Sequence, residues 1–182
     1  SGFIDSVGID MYMKILQEEI NKAKGIEEEK PKQKGVKAKV SKFIDKAYIE
    51  DDYIKIEMHK KIKAVTSIQA IEDLLREIDD RFGHYSIDLE IYIYEQLFEY
   101  LTKSIGIEKI KETKSKRTLI VSKEATKHMA GDQLFKQGID VSEHIRFSYK
   151  NDQIYIILDT INLKKHWLFT MVEFLDKVNQ LK

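Results

Sequence analysis

TSIQAIEDLLREIDDRFG, residues 66–83, holds the pattern from which the rest of the fold can be read. Ile68, Ile71, Leu75, Ile78 and Phe82 recur every three or four residues, which predicts a helix with one apolar stripe. Thr66 followed by Gln69 predicts a capping box, the hydroxyl accepting the Gln69 amide hydrogen while the Gln69 side chain reaches back. Gly83 supplies the stop, because a left-handed residue costs glycine little. The opposite face is charged, with Glu72, Asp73, Arg76, Glu77 and Asp80, and Arg81 beside them.

Immediately upstream, AYIEDDYIKIEMHKKI (47–62) reads as an extended entry and a helix over roughly 51–64, striped by Ile54, Met58, Ile62 and Val65. Downstream, residues 88–104 are apolar nearly all round, which predicts a helix central to the core or packed on a partner. After Gly106 the period changes to two. Strands are expected over 107–114 and 118–122, a helix over 124–137 interrupted near Gly131, and a hairpin of 145–149 with 154–158. A last helix over about 163–180 should bury Trp167, Leu168, Met171, Leu175 and Val178. At the other end, Ile9, Met13, Leu16, Ile20 and Ala23 predict an amphipathic helix over 9–24, and the charged GIEEEKPKQKG (25–35) a linker. Val36, Ala38 and Val40 alternate with lysines as in a half-buried strand. Helices first, strands second and a closing helix argue for an α+β fold: an N-terminal helix and linker, then a helical cluster with an antiparallel sheet and a closing C-terminal helix.

The 182 residues carry 31 Lys plus Arg against 31 Asp plus Glu, so the chain lacks the basic excess of a free-standing nucleic-acid binder. Two local basic runs stand out, one from Lys30 to Lys46 and one from Lys109 to Arg117. Either could face phosphates, or could be a solvated edge where lysines discourage strand pairing. With no cysteine there is no disulfide, thiolate metal site or thiol nucleophile. No apolar run approaches the roughly 20 residues of a membrane helix, and the start lacks the pattern of a signal peptide.

Little here resembles catalysis. Asp51-Asp52 and Asp79-Asp80 are paired in sequence, but adjacent helical residues point about 100° apart. His59, His84, His128, His144 and His166 are scattered singly, as surface or boundary histidines, with no HExxH. The chain also lacks GxxxxGK[ST], GxGxxG and GxSxG, the usual basis for phosphate cradles and nucleophile elbows.

Several segments resemble the C-terminal domain of the bacterial transcription-repair coupling factors, ATP-driven DNA translocases that remove stalled RNA polymerase and recruit excision repair. The matching residues are Ala47-Tyr48-Ile49, Asp52-Tyr53-Ile54, Asp80-Arg81-Phe82-Gly83 and Ile105-Gly106-Ile107. Ser1-Gly2-Phe3-Ile4, Val7-Gly8, Asp10 and Tyr12 resemble the place where the family's second helicase lobe ends. Two departures occur at helix entries: Glu50 stands where a Pro is usual, and Tyr85-Ser86 replaces Leu-Pro.

The resemblance implies a division into 1–25 as the tail of the helicase module, 26–36 as linker and 37–182 as an α+β regulatory domain. It implies no catalytic residue, metal or cofactor in this fragment, with ATP and Mg belonging to the parent translocase. Its partner would be the UvrB-like N-terminal region of the same protein, where docking would mask the surface that binds UvrA. RNA polymerase and DNA would be reached only through the parent, in the cytoplasm, with no membrane. Glu72, Asp73, Glu77, Asp80 and Arg81 are the expected docking face. The competing expectation is an accessory nucleic-acid module using the lysine-rich segments.

Overall fold

The computed structural model of the chain describes residues 9–25 and 35–182. The expected features at 1–8, and those at 26–34 in the linker, lie outside the described residues. Helix α1 (Ile9–Lys24) ends at Gly25, whose φ of 66° is the left-handed conformation expected there. Three helices follow: α2 (Asp52–Lys63), α3 (Ile68–Phe82) and α4 (Ile87–Ile105). Then come β1 (Ile107–Glu112), β2 (Lys116–Val121), α5 (Lys123–Lys127), α6 (Gly131–Val141), β3 (Ile145–Lys150), β4 (Gln153–Asp159) and α7 (Trp167–Gln180). The described residues thus form an α+β fold of seven helices and one four-stranded antiparallel sheet.

Side-chain caps start these helices where the chain turns. Asp51 accepts from the Ile54 amide, Ser86 from Leu89 and Ser122 from Ala125. Each satisfies one amide that the first helical turn leaves without a partner. The cap of α3 is Ser67, not Thr66: its hydroxyl accepts from the Ala70 amide at 3.0 Å. The expected capping box is therefore displaced, and Gln69 turns instead to Asp73 at 3.0 Å. Starting one residue later leaves the predicted stripe intact, with Ile71, Leu74, Leu75 and Ile78 buried.

The all-round apolar α4 is the central helix, and α7 packs along it. Phe98 meets Trp167 edge-on at 5.5 Å, and Tyr94 meets Phe169 at 4.8 Å. The sheet runs β1-β2-β4-β3, every neighbour antiparallel. Along β4, Ile154, Ile156 and Leu158 are buried in alternation, the pattern of a sheet with one face on the core. Phe147 of β3 reaches Phe174 of α7 at 5.8 Å, which joins sheet and helices into one core. The β3–β4 hairpin turns on Asn151 and Asp152, with φ of 53° and 61°, and positive φ at both central residues marks a type I′ turn.

Two further expectations fail here. Residues 36–40 are not a strand of the sheet. They form an extended strap laid on α4, and three of their amides bond to side chains instead of a neighbouring strand. Val36 donates to Thr102 Oγ1 at 3.0 Å, Ala38 to Glu95 Oε1 at 3.2 Å and Lys39 to Glu112 Oε2 at 3.2 Å. Gly35 packs so closely that a Cβ there would stand 2.1 Å from the Glu99 carbonyl oxygen. The strap is pinned by Glu95, whose side chain is fully buried and lies 3.1 Å from the Lys42 ammonium. Burial holds the Glu95 carboxyl above the usual carboxylate range, although Lys42 pulls it down.

The second failure is His59, expected at the surface or boundary. It is 3% exposed, and its Nδ1 lies 2.8 Å from the Tyr92 hydroxyl. A buried imidazole needs such a partner, and α4 provides one.

Candidate functional site

The two segments that carry the resemblance meet in space. The Tyr48 hydroxyl donates to the Gly83 carbonyl at 2.5 Å, and its ring stands edge-on to Phe82 at 6.1 Å. Gly83, at φ 86°, turns its carbonyl out of the helix while its own amide bonds back to Asp79. Ala47-Tyr48-Ile49 and Arg81-Phe82-Gly83 are thus a structural joint. It fixes the end of α3 against the entry to α2. Burial raises the Tyr48 hydroxyl pKa above the usual tyrosine range, with Asp79 adding to the shift.

The five residues expected to form a docking face divide into two groups. Glu77 and Arg81 turn toward α2 and join an ion network. Lys61 Nζ lies 2.7 Å from Glu77 Oε2, while Arg81 Nη1 is 3.1 Å from Glu77 and 3.2 Å from Glu57. Lys61 also reaches Glu57 at 3.6 Å. The hydrogen bond from Lys61, joined by that from Arg81, draws the Glu77 carboxyl below the usual range. Arg81 does the same for Glu57. These pairs are solvent-exposed, so each adds little stability, but together they hold the two helices in register. Glu57 and Lys61 were not expected at the site. The signal lay in two i,i+4 pairs, Glu57–Lys61 and Glu77–Arg81, on consecutive helices.

Glu72, Asp73 and Asp80 face outward and are exposed, together with Arg76. Asp73 accepts from Arg76 at 3.4 Å, a weak exposed contact along one helix. Asp80 makes no hydrogen bond or ion pair to any described residue. At 100° per residue these four side chains span about a quarter to a third of the helix circumference. Ile71, Leu74, Leu75 and Ile78 bury the opposite arc. The result is a predominantly acidic ridge on a helix whose inner face is packed and whose flank is locked by ions.

Among the described residues no group of His, Asp and Glu could hold a metal ion. No helix among the described residues is long and apolar enough to cross a membrane.

The sequence model of the TRCF domain matches residues 38–131. The transcription-repair-coupling factor of Staphylococcus haemolyticus is 30% identical over 169 residues, which is 92% of this chain and 14% of that protein. The protein of the same name in Bacillus subtilis is 29% identical across 100% of this chain and 16% of its own length. The chain therefore spans only about a seventh of the curated relatives it matches. A crystal structure of the C-terminal domain of a transcription-repair coupling factor superposes with a TM-score of 0.66 at 20% identity. It covers 82% of this chain and 92% of the other, and shows the same fold. The match spans the joint, α3 and α4, and this chain belongs to the TRCF domain family, the C-terminal domain of transcription-repair coupling factors.

Proposed function

We propose that this chain is the regulatory C-terminal domain of an ATP-driven DNA translocase that couples transcription to repair in the cytoplasm. In this reading its task is to hold the parent protein closed. The outer face of α3 docks on the UvrB-like N-terminal region and covers the surface that would bind UvrA. Chemistry on ATP and Mg, and contact with RNA polymerase and DNA, belong to other parts of the parent. Residues 1–25 would be the tail of the motor and 26–36 the tether.

The observation that carries the reading is the acidic ridge of Glu72, Asp73 and Asp80. It is exposed, and it sits on a helix fixed by core packing and by the Glu57–Lys61–Glu77–Arg81 network. A rigid charged ridge suits a basic partner surface, where complementarity gives specificity more than affinity. Weak affinity is enough for a tethered domain. With an effective concentration near 1 mM and an interface Kd of about 100 μM, roughly nine molecules in ten are closed. Weakening that interface about thirtyfold, some 2 kcal/mol, would leave most molecules open.

The test is charge reversal at Asp73→Lys and Asp80→Lys together in the full-length parent. These residues lie off the ion network, so the fold is retained. UvrA capture and the basal ATPase rate should both rise. If both stay at the wild-type level while the variant melts normally, the docking face lies elsewhere.

A further inference from the structure

A patch of sign opposite to the acidic ridge lies at one end of the sheet. Sequence separates the two lysine runs, but the fold joins their ends. The Lys39 amide donates to Glu112 at the end of β1. Lys114 follows in the β1–β2 turn, and Lys116 opens β2. That turn is tied to the loop entering α7, because the Thr160 amide donates to the Ser115 carbonyl at 2.9 Å. The same loop carries Lys164 and Lys165. Five exposed lysines from three separate segments thus gather at one end of the molecule.

Lys165 borders a groove that also carries Glu90 and Glu173, whereas the carboxylates nearest the other four lysines are taken by arginines. Glu112 lies 3.2 Å from Arg117, and Asp159 lies 2.7 Å from Arg146. Lys39, Lys114, Lys116, Lys164 and Lys165 have no carboxylate of the described residues within ion-pair distance. Glu143 precedes β3, two strands from β2, which at the usual strand spacing is about 10 Å away.

We infer that this lysine cluster binds the phosphate backbone of duplex nucleic acid, without reading its sequence. The composition of the patch selects that ligand over an acidic protein. Protein interfaces draw their energy from aromatic and Arg anchors and are depleted in Lys. Here the two arginines are occupied by carboxylates, and Arg117 also lies over Trp167 at 5.3 Å. What remains is lysine, a flexible point charge suited to phosphate. Without exposed aromatics in the cluster there is nothing on which unpaired bases could stack, which argues for duplex over single strands. Ile161 is exposed in the same loop, but a single exposed aliphatic is ordinary. The inference does not depend on the docking role of α3, because the two surfaces share no residue.

The experiment is fluorescence anisotropy of this chain with a labelled duplex of about 20 base pairs, from low salt to about 200 mM. Four or five phosphate contacts predict a slope of log K against log salt of roughly −4. The triple variant Lys114→Gln, Lys116→Gln, Lys164→Gln should flatten that slope by about 3 and weaken binding at least about tenfold near 50 mM salt. Lys60→Gln with Lys63→Gln, on α2, should bind as the wild type does. All five lysines in the cluster are exposed, so the triple variant should melt like the wild type. Should it not fold, Lys164→Gln with Lys165→Gln gives the same test in one loop, with the slope flattened by about 2. No duplex binding near 50 mM salt overturns the inference, as does equal binding by the lysine variants. Preferential binding of polyglutamate over duplex also overturns it and assigns the patch to an acidic protein.

Discussion

Glu95 offers the sharpest test of how the domain is held together, because two substitutions there should behave oppositely. Glu95→Ala removes the acceptor of the Ala38 amide and the carboxylate 3.1 Å from the Lys42 ammonium, whose side chain is 14% exposed. An orphaned buried amide costs about 1–3 kcal/mol. Breaking a buried ion pair by deleting one partner costs about 3–5 kcal/mol, less here because Lys42 retains some water. Together these give a loss of about 3–4 kcal/mol and a strap that detaches from α4. Glu95→Gln keeps the acceptor for the Ala38 amide but removes the charge and turns an amide nitrogen toward Lys42 and Gln96, a cost that does not vary with pH. Since burial raises the Glu95 pKa in the folded state, the folded protein binds its proton more tightly than the unfolded chain. Wild-type stability from this group is therefore full below the unfolded pKa, near 4.3, and falls as pH rises through the folded value. The glutamine variant has no such loss. Urea unfolding of both proteins from about pH 4 to pH 7 should show Glu95→Gln gaining on the wild type as pH rises. The reasoning is refuted if Glu95→Gln instead loses ground with rising pH, or if Glu95→Ala costs under about 1 kcal/mol.

Three further outcomes follow from the same geometry. Glu77 has the opposite sign: its pKa is lowered, so its contribution is present above the unfolded value and lost as pH falls. The melting difference between wild type and Glu77→Gln should therefore shrink toward acid pH and vanish in about 1 M salt. Gly35→Ala places a Cβ 2.1 Å from the Glu99 carbonyl oxygen, so it should cost about 1–3 kcal/mol and speed hydrogen exchange at Val36 and Ala38. Asn151→Val puts a β-branched residue at φ 53° in the hairpin and should lower stability by about 1–2 kcal/mol, whereas Asp152→Gly should not destabilise.

Most helices and strands were legible because their periods were strong and their caps local. Residues 66–83 show both sides of this. The apolar stripe placed α3 correctly, but Thr66 and Ser67 are adjacent hydroxyls, and only the backbone geometry selects Ser67 as the cap. The strap at 36–40 was misread because alternation also arises where every second side chain faces a helix. What distinguishes it is the origin of its hydrogen-bond partners, Glu95, Thr102 and Glu112, all distant in sequence. Glu95-Gln96 in the middle of an otherwise apolar α4 was the available clue, and so was His59 one turn from the end of α2. At the candidate site, the charged face of α3 was visible from spacing alone. The i,i+4 pairs Glu57–Lys61 and Glu77–Arg81 hinted at a network, but that the two pairs meet, leaving Glu72, Asp73 and Asp80 as the outward ridge, depends on how α2 and α3 pack. The convergence of Lys39, Lys114 and Lys164 is likewise a property of sheet order.

The central claim is that the α3 ridge docks where UvrA binds. Its most direct test is titration calorimetry of this chain against the separately produced UvrB-like N-terminal region of its parent protein, with and without UvrA. The account predicts weak binding, of order 100 μM, abolished by Asp73→Lys with Asp80→Lys and displaced by UvrA. Binding of the doubly reversed variant equal to that of the wild type, or simultaneous occupancy of the region by this chain and UvrA, would contradict it.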